Sequence, residues 1–260
     1  MRLMTYNVLT GGRDGAVDSR LSLISEVIQS VAPDLLVLNE CNGFEQDGYR
    51  TLYRLEAQLG MRAVLAPAES GFHVALFLRR GRLIETRCLS REVHHAVLSA
   101  KLELDGRPLR IIGTHLCPFS GDARLLEVQQ LIRYLREEHA FVLGDLNALS
   151  PHDAGRYTPG QWLPRRRARH VIAGSGGTLD TRAISALEEA ELVDVFRQQN
   201  NTAPTVLTRL GEGWQDYQAR IDYIFATRPA AERVTRAERV DGAAVEQASD
   251  HYPLFVDVEL

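Results

Sequence analysis

Short apolar runs rich in Val, Ile and Leu recur along the chain, and most follow one another with no helical pattern between them. Alternating or continuous apolar patterning predicts strands over residues 2–6, 35–39, 63–66, 74–78, 97–104, 109–114, 140–143, 221–226 and 255–259. A doubly wound parallel sheet requires a crossover helix after nearly every strand. This chain supplies helical spacing only at 19–31, 49–59, 122–138 and 181–190. In the first of these, Leu21, Ile24, Val27, Ile28 and Val31 share one face. In the third, Leu125, Val128, Leu131, Ile132 and Leu135 do the same. The pattern predicts an α/β fold: two packed mixed sheets with helices outside.

A chain of 260 residues with 45% hydrophobic side chains can bury a large core, which excludes disorder and a disulfide scaffold. We expect one domain over 1–260, with a long loop insertion at about 150–178 that is rich in Pro, Gly and Arg. Residues 211–216 also read as loop. Thirty basic against 34 acidic residues leave a net charge of −4, which argues against a grip on nucleic acid through overall positive charge. No apolar run approaches the ~18 residues of a membrane span, and no obligate protein partner is evident. The first residues, Met1 to Leu9, make one strand rather than a secretory signal. Cys41, Cys88 and Cys117 are an odd count without metal-ligand spacing, so a reducing compartment, the cytoplasm, is expected. Lys101 is the only lysine. Genome composition explains that arginine bias more readily than phosphate binding does.

Polar residues stand repeatedly at strand ends, where a rigid scaffold presents reactive groups. Asn7 follows Leu3 to Tyr6, Glu40 follows Leu35 to Asn39, and His115 follows Arg110 to Thr114. Asp145 and Asn147 follow Phe141 to Gly144, Asp222 opens a run to Phe225, and Asp250-His251 precede Tyr252 to Phe255. These residue types suit one chemistry. Glu40 and Asp250 are hard oxygen ligands with Asn7 as a neutral helper, a set matched to Mg²⁺ or Mn²⁺. Asp145 can orient or deprotonate a water, and Asn147 can donate to a phosphate oxygen. Asp222 is a candidate partner that would fix the tautomer of His251. His115 can meet the phosphate or the leaving group. Together they describe metal-assisted attack of water on a phosphoester.

Six segments occur in a familiar order: Thr5-Tyr6-Asn7, Leu38-Asn39-Glu40, Thr114-His115-Leu116, Gly144-Asp145-Leu146-Asn147, Arg220-Ile221-Asp222-Tyr223-Ile224 and Ser249-Asp250-His251-Tyr252-Pro253. They resemble the ordered motifs of the endonuclease/exonuclease/phosphatase superfamily, which includes deoxyribonuclease I. The Gly-Asp-x-Asn and Ser-Asp-His segments are the most specific. The resemblance implies a four-layer α/β sandwich with its site at one end of the two sheets. It implies that Glu40 holds the divalent metal with Asn7 and Asp250 nearby, that Asp145 handles the nucleophilic water and that Asn147 binds phosphate. It further implies that His251, paired with Asp222, stabilises the transition state or acts as the base. His115 resembles the deoxyribonuclease and sphingomyelinase branch, whereas Asn39 stands where glutamine is commoner.

The expected activity is hydrolysis of a phosphodiester by a nuclease or a small-molecule phosphodiesterase, with nucleic acid a possible substrate. Two alternatives compete: the scaffold and metal site recruited to a non-phosphate reaction, and an inactive binding module. The second would lack a catalytic residue, and none of those named is missing. Arg165, Arg166, Arg167, Arg169 and His170 in the insertion can grip a phosphate-rich ligand or form a solvated loop, with equal weight. Trp162 and Tyr157 there can stack on a ring, but more often such residues pin a loop to the core. Trp214 and Tyr217 can line the other wall. Strand alternation would send His94 and His95 to opposite faces, which argues against a metal pair, and it would turn Cys41 away from the metal.

Overall fold

Residues 1–15, 17 and 19–259 are described by a computed structural model. In chain order the strands are β1 (Arg2–Asn7), β2 (Leu35–Asn39), β3 (Arg62–Ala66), β4 (Val74–Leu78), β5 (Arg82–Leu89), β6 (Ala96–Leu104), β7 (Arg107–His115), β8 (Ala140–Asp145), β9 (Leu192–Asp194), β10 (Asp222–Thr227), β11 (Val234–Arg239) and β12 (Leu254–Val258). They form two six-stranded sheets, ordered β11-β12-β1-β2-β4-β3 and β5-β6-β7-β8-β10-β9. Each sheet has a single parallel pair at its centre, β1–β2 in one and β7–β8 in the other, and antiparallel neighbours elsewhere. A parallel pair requires a crossover, and the amphipathic stretches provide it. Helix α1 (Leu21–Val31) links β1 to β2. Helix α2 (Gln46–Leu59) follows β2, and α3 (Gly121–Ile132) links β7 to β8. Two later helices are α4 (Pro164–His170) and α5 (Arg182–Glu189).

Side-chain alternation builds the four layers. Leu3, Leu35, Val37, Ile111, Phe141, Leu143 and Ile224 point between the sheets, into one core. Their neighbours Met4, Tyr6, Leu36 and Leu38 point outward and pack on Ile24, Ile28 and Leu55 of α1 and α2. On the far side Ile112, Val142, Tyr223 and Phe225 meet Val128, Leu131, Ile184 and Leu187 of α3 and α5. Strands buried on both faces read as unbroken apolar runs, which is why the central strands were plain in the sequence. The sheets meet closely at Gly113, where a β-carbon would come 2.9 Å from Val37.

The differences from the sequence expectations lie at edges and ends. Strands β5, β9 and β11 had no predicted counterpart. All three are sheet edges, and β5 is exposed on both faces, so it carries no hydrophobic alternation. The helix expected over 122–138 stops at Ile132. Beyond it the chain turns to bring Glu137 onto Arg110 of β7, at 2.7 and 2.8 Å. The stretch expected to be helical over 49–59 lies in α2, but Asp47, Gly48 and Tyr49 have left-handed φ, so regular helix begins after them.

The insertion at about 150–178 is also corrected: it is not an open loop. Two 3₁₀ turns, Pro151–Arg156 and Pro159–Gln161, precede α4, and each of the three elements begins with a proline. Trp162 packs with Leu149, Val206, Leu207, Tyr217, Ala219 and Ile221 in a small separate core, with Tyr157 against it. The insertion is therefore pinned across one end of the sandwich. Among the described residues no helix is long and apolar enough to cross a membrane.

Candidate active site

The carboxyl ends of both parallel pairs converge at one end of the sandwich. Asn7 and Asn39 face each other at the end of β1–β2, and His115 faces Asp145 at the end of β7–β8. Asp222, which opens β10, sits opposite Asp145 on the antiparallel side. Asn39 ties the two sheets together. Its Nδ2 donates to the Thr114 carbonyl at 2.9 Å, and its Oδ1 accepts from the Asp145 amide at 3.0 Å. It is fully buried, so it acts as a bridge between layers and not as a surface ligand. We predict that Asn39→Ala lowers unfolding free energy by about 2 kcal/mol or more, because two buried backbone groups lose their partners. Urea unfolding checks this, and a change below ~0.5 kcal/mol would contradict the bridging role.

Backbone geometry sets the remaining groups. Gly144 has φ +144°, and a β-carbon there would collide with the Thr114 carbonyl, so the Gly-Asp-x-Asn segment needs its glycine. Asn147 and Glu40 both take left-handed φ, 47° and 59°. Each is the point where the chain turns off a strand, and such strain concentrates at functional sites.

The side chains form one connected network. Asn7 Nδ2 donates to Glu40 at 3.1 Å and to Asp145 at 3.0 Å. Glu40 also accepts from the Thr10 amide at 2.9 Å. Asp145 Oδ1 accepts from the Asn147 amide at 2.9 Å, while its Oδ2 lies 3.4 Å from His115 Nε2 and 3.8 Å from His251 Nε2. His251 Nδ1 lies 2.9 Å from Asp222, whose backbone amide is held by Thr205 Oγ1 at 3.1 Å. Burial alone would raise the Asp145 carboxyl. The His115 hydrogen bond and the His251 charge reverse this and hold it well below the ordinary range. Burial pushes Asp222 up to about 6, against the pull of His251. Burial disfavours charge on His251 and His115, but the neighbouring carboxylates win and both imidazoles are raised.

Asp250 behaves differently. Its carboxyl is raised by burial, with the charges of Glu40 and Asp145 adding to the effect. Its Oδ1 is buried and has no partner. Buried acceptors are normally satisfied, so an unpartnered carboxylate oxygen beside two other carboxylates fits a divalent cation. Ligand atoms of Asp145, Asp222 and His251 also lie within 4.8 Å of one another. There, however, both His251 nitrogens face carboxylates, an arrangement that suits an ion-pair chain better than a metal cage.

Glu40, His115, Asp145, Asn147, Asp250 and His251 line one cavity of about 260 Å³, and Asn7, Asn39 and Asp222 stand behind them. The structure also brings in residues that the sequence reading discounted or left open. His94 and His95 both line it, with their rings 4.5 Å apart, which corrects the expectation that they diverge. Strand β6 begins only at Ala96, so alternation does not apply to them. His95 stacks on His115 at 4.1 Å and meets the Ser70 hydroxyl at 2.7 Å. Their place just before a strand at the site end was the one available signal. Arg166, Arg169 and Tyr217 line the cavity too, as the sequence allowed for each of them. Trp162 and Tyr157 do not line the cavity but anchor the insertion. Cys41 is buried in the outer core, where burial raises its thiol.

His170 Nε2 lies 2.6 Å from the Tyr217 hydroxyl. Burial, aided by Arg124 and Arg169, lowers it to about 3. The unfolded chain, with its imidazole near 6.5, then binds the extra proton first, so stability is full above pH ~6.5 and falls toward pH 3. His170→Gln is expected to remove about 2 kcal/mol of the stability lost between pH 7 and 4.5. Unfolding curves at the two pH values test this, and an unchanged loss would contradict it.

Two facing sheets with an Asp–His–carboxylate centre at the ends of both parallel pairs define the deoxyribonuclease I-like α/β sandwiches. The chain belongs to the endonuclease/exonuclease/phosphatase family, whose sequence model matches residues 4–251, and members of this family are phosphoester hydrolases. Solved structures similar in fold include an AP endonuclease from Archaeoglobus fulgidus, at TM-score 0.73 and 20% identity over 100% of both chains. A 3′-5′ exonuclease from Neisseria meningitidis matches at TM-score 0.73 and 19% identity, also over 100% of both. Humanized D. rerio TDP2 matches at TM-score 0.68 and 15% identity over 98% of this chain and 97% of the other. Comparison with curated protein sequences finds no match.

Proposed function

We propose that this protein is a divalent-metal-dependent phosphodiesterase, using Mg²⁺ or Mn²⁺. The observation that carries the reading is the unpartnered, buried Asp250 Oδ1 beside the Asn7–Glu40–Asp145 network. Glu40 and Asp250 would hold the metal with Asn7 beside them, and the metal would supply Lewis-acid charge to a phosphate oxygen. Asp145 holds the attacking water as its hydrogen-bond acceptor and takes its proton as the new P–O bond forms. Asn7 fixes the Asp145 carboxylate by donating to it. His251, kept in one orientation by Asp222, presents Nε2 toward the phosphoryl group, with His115 on the other side of Asp145. Asn147 lines the cavity and is held by its Nδ2 donating to the Leu116 carbonyl at 3.1 Å; the second N–H of that amide would meet a phosphate oxygen. The ester P–O bond then breaks and the leaving oxygen takes a proton from an imidazole. The inactive-module reading finds no support, since every named group is present.

The test is hydrolysis of bis-p-nitrophenyl phosphate and of supercoiled plasmid in parallel, with Mg²⁺, Mn²⁺ or a chelator, for wild type and His251→Ala. We expect metal-dependent turnover that the chelator and the substitution each abolish. A folded, metal-binding protein that turns over neither substrate would overturn the reading.

A further inference from the structure

One wall of the cavity carries positive charge that the chemistry above does not use. Arg166 and Arg169, three residues apart on α4, both line it. That spacing puts them on one face of the helix. Their neighbours in the fold are neutralised: Arg165 pairs with Glu212, and Arg182 with Asp180 and Asp122. Arg166 and Arg169 have no carboxylate partner among the described residues. Arg166 donates only to the carbonyls of Glu212 and Gly213, and its guanidinium lies over the Tyr217 ring, 4.6 Å from the centroid. The Arg169 guanidinium lies 5.8 Å from the Phe119 ring centre. The wall is rigidly backed. The fully buried Arg124 donates to the Arg169 carbonyl at 2.5 Å and to the Cys117 carbonyl at 3.0 Å, so the backbone of α4 is tied to the loop after β7. Glu40, Asp145 and Asp250 line the same cavity, so it holds both acidic and basic groups.

We propose that Arg166 and Arg169 form an anion subsite for a second phosphate of the substrate, next to the phosphoester that is cleaved. The inference rests on the phosphodiesterase reading for the position of the scissile group. Guanidinium forks with spare N–H donors are the side chains best matched to phosphate oxygens. A cavity of about 260 Å³ accommodates the reacting ester and one flanking group. The second phosphate can be a neighbouring link of a nucleic-acid strand or a terminal phosphate of a small molecule, and the recognition chemistry is the same.

The experiment compares thymidine 5′-(p-nitrophenyl phosphate) with and without a 3′-phosphate. In wild type the 3′-phosphate should raise kcat/KM at least tenfold, mainly through KM. In R166Q/R169Q that ratio should collapse to near one, whatever the absolute rates. Arg169→Gln alone, at a half-buried position, keeps the test readable if the double variant is unstable, and should lose most of the ratio. A ratio that survives in the variants overturns the proposal. Pyrophosphate titrated by calorimetry in the presence of chelator separates the two readings, because without metal the carboxylates of Glu40, Asp145 and Asp250 repel anions. Binding at least tenfold weaker in the variant than in wild type, with no ester hydrolysed by either, keeps the subsite and fells the phosphodiesterase. Equal pyrophosphate binding overturns the subsite even if esters are cleaved. Plasmid cleavage whose salt dependence flattens in the variant identifies the second phosphate as a nucleic-acid link. Ester cleavage without plasmid cleavage identifies a small molecule.

Discussion

Asp145→Asn is expected to leave a folded protein whose kcat on bis-p-nitrophenyl phosphate is about 10³-fold lower or worse. The carboxylate stands at the centre of the network. It accepts from Asn7 Nδ2 and from the Asn147 amide, and it faces His115 and His251 across 3.4 and 3.8 Å. An amide in its place presents one donor edge. Turned one way, that edge faces the Asn7 amide and the two imidazoles; turned the other, it faces the Asn147 N–H. Either way one donor meets another, and the group can no longer take a proton from water. A factor of 10³ is about 4 kcal/mol of barrier, in line with losing a charged group that acts only in the transition state. Metal-saturated kinetics with a matched thermal melt provide the measurement. A kcat within threefold of wild type would remove Asp145 from the mechanism.

Arg220→Ala should cost about 3–5 kcal/mol of stability. In sequence Arg220 belongs to the same motif as Asp222, yet the structure keeps it out of the cavity. Its Nε donates to Asp153 at 2.8 Å and its Nη1 to Asp194 in a second, shorter contact of 2.6 Å, with all three side chains buried. Its guanidinium also lies over the Tyr223 ring at 4.5 Å. Asp153 sits in the first turn of the insertion, and Asp194 caps the short helix Val195–Gln198. One side chain thus holds the insertion and the β9 edge against β10. Removing it strands two carboxylates out of water, and Arg220→Lys rescues only in part because a single ammonium cannot reproduce the fork. Urea unfolding decides the matter, and a loss below 1 kcal/mol would show that the two carboxylates find other partners.

Much of the site was legible because its residues stand at the ends of well-patterned strands. A strand end has a fixed direction, so an apolar run followed by Asn7, Glu40, His115 or Asp145 identifies both the element and the exit point of the reactive group. Asn39 shows the limit of that reading. It appeared as a departure from glutamine beside a ligand, and it is the bridge that aligns one sheet with the other. His94 and His95 show another: alternation was applied where no strand exists. Arg166 and Arg169 could be read with equal force as solvated loop or as phosphate grip, since nothing local to an arginine run reveals what lies across from it.

Local patterning by itself determined the central strands, the amphipathic helices, the mixed sheets and the order of the chemical groups, because burial on two faces or one leaves a period in the chain. The tertiary structure alone decided which sheet edges exist, that the insertion is packed through its own small core, and that basic and acidic groups share one cavity. Those features depend on residues brought together from separate segments of the chain. Their pairing energies are set by burial and by distances across the sandwich, and neither quantity is a property of any short stretch of sequence.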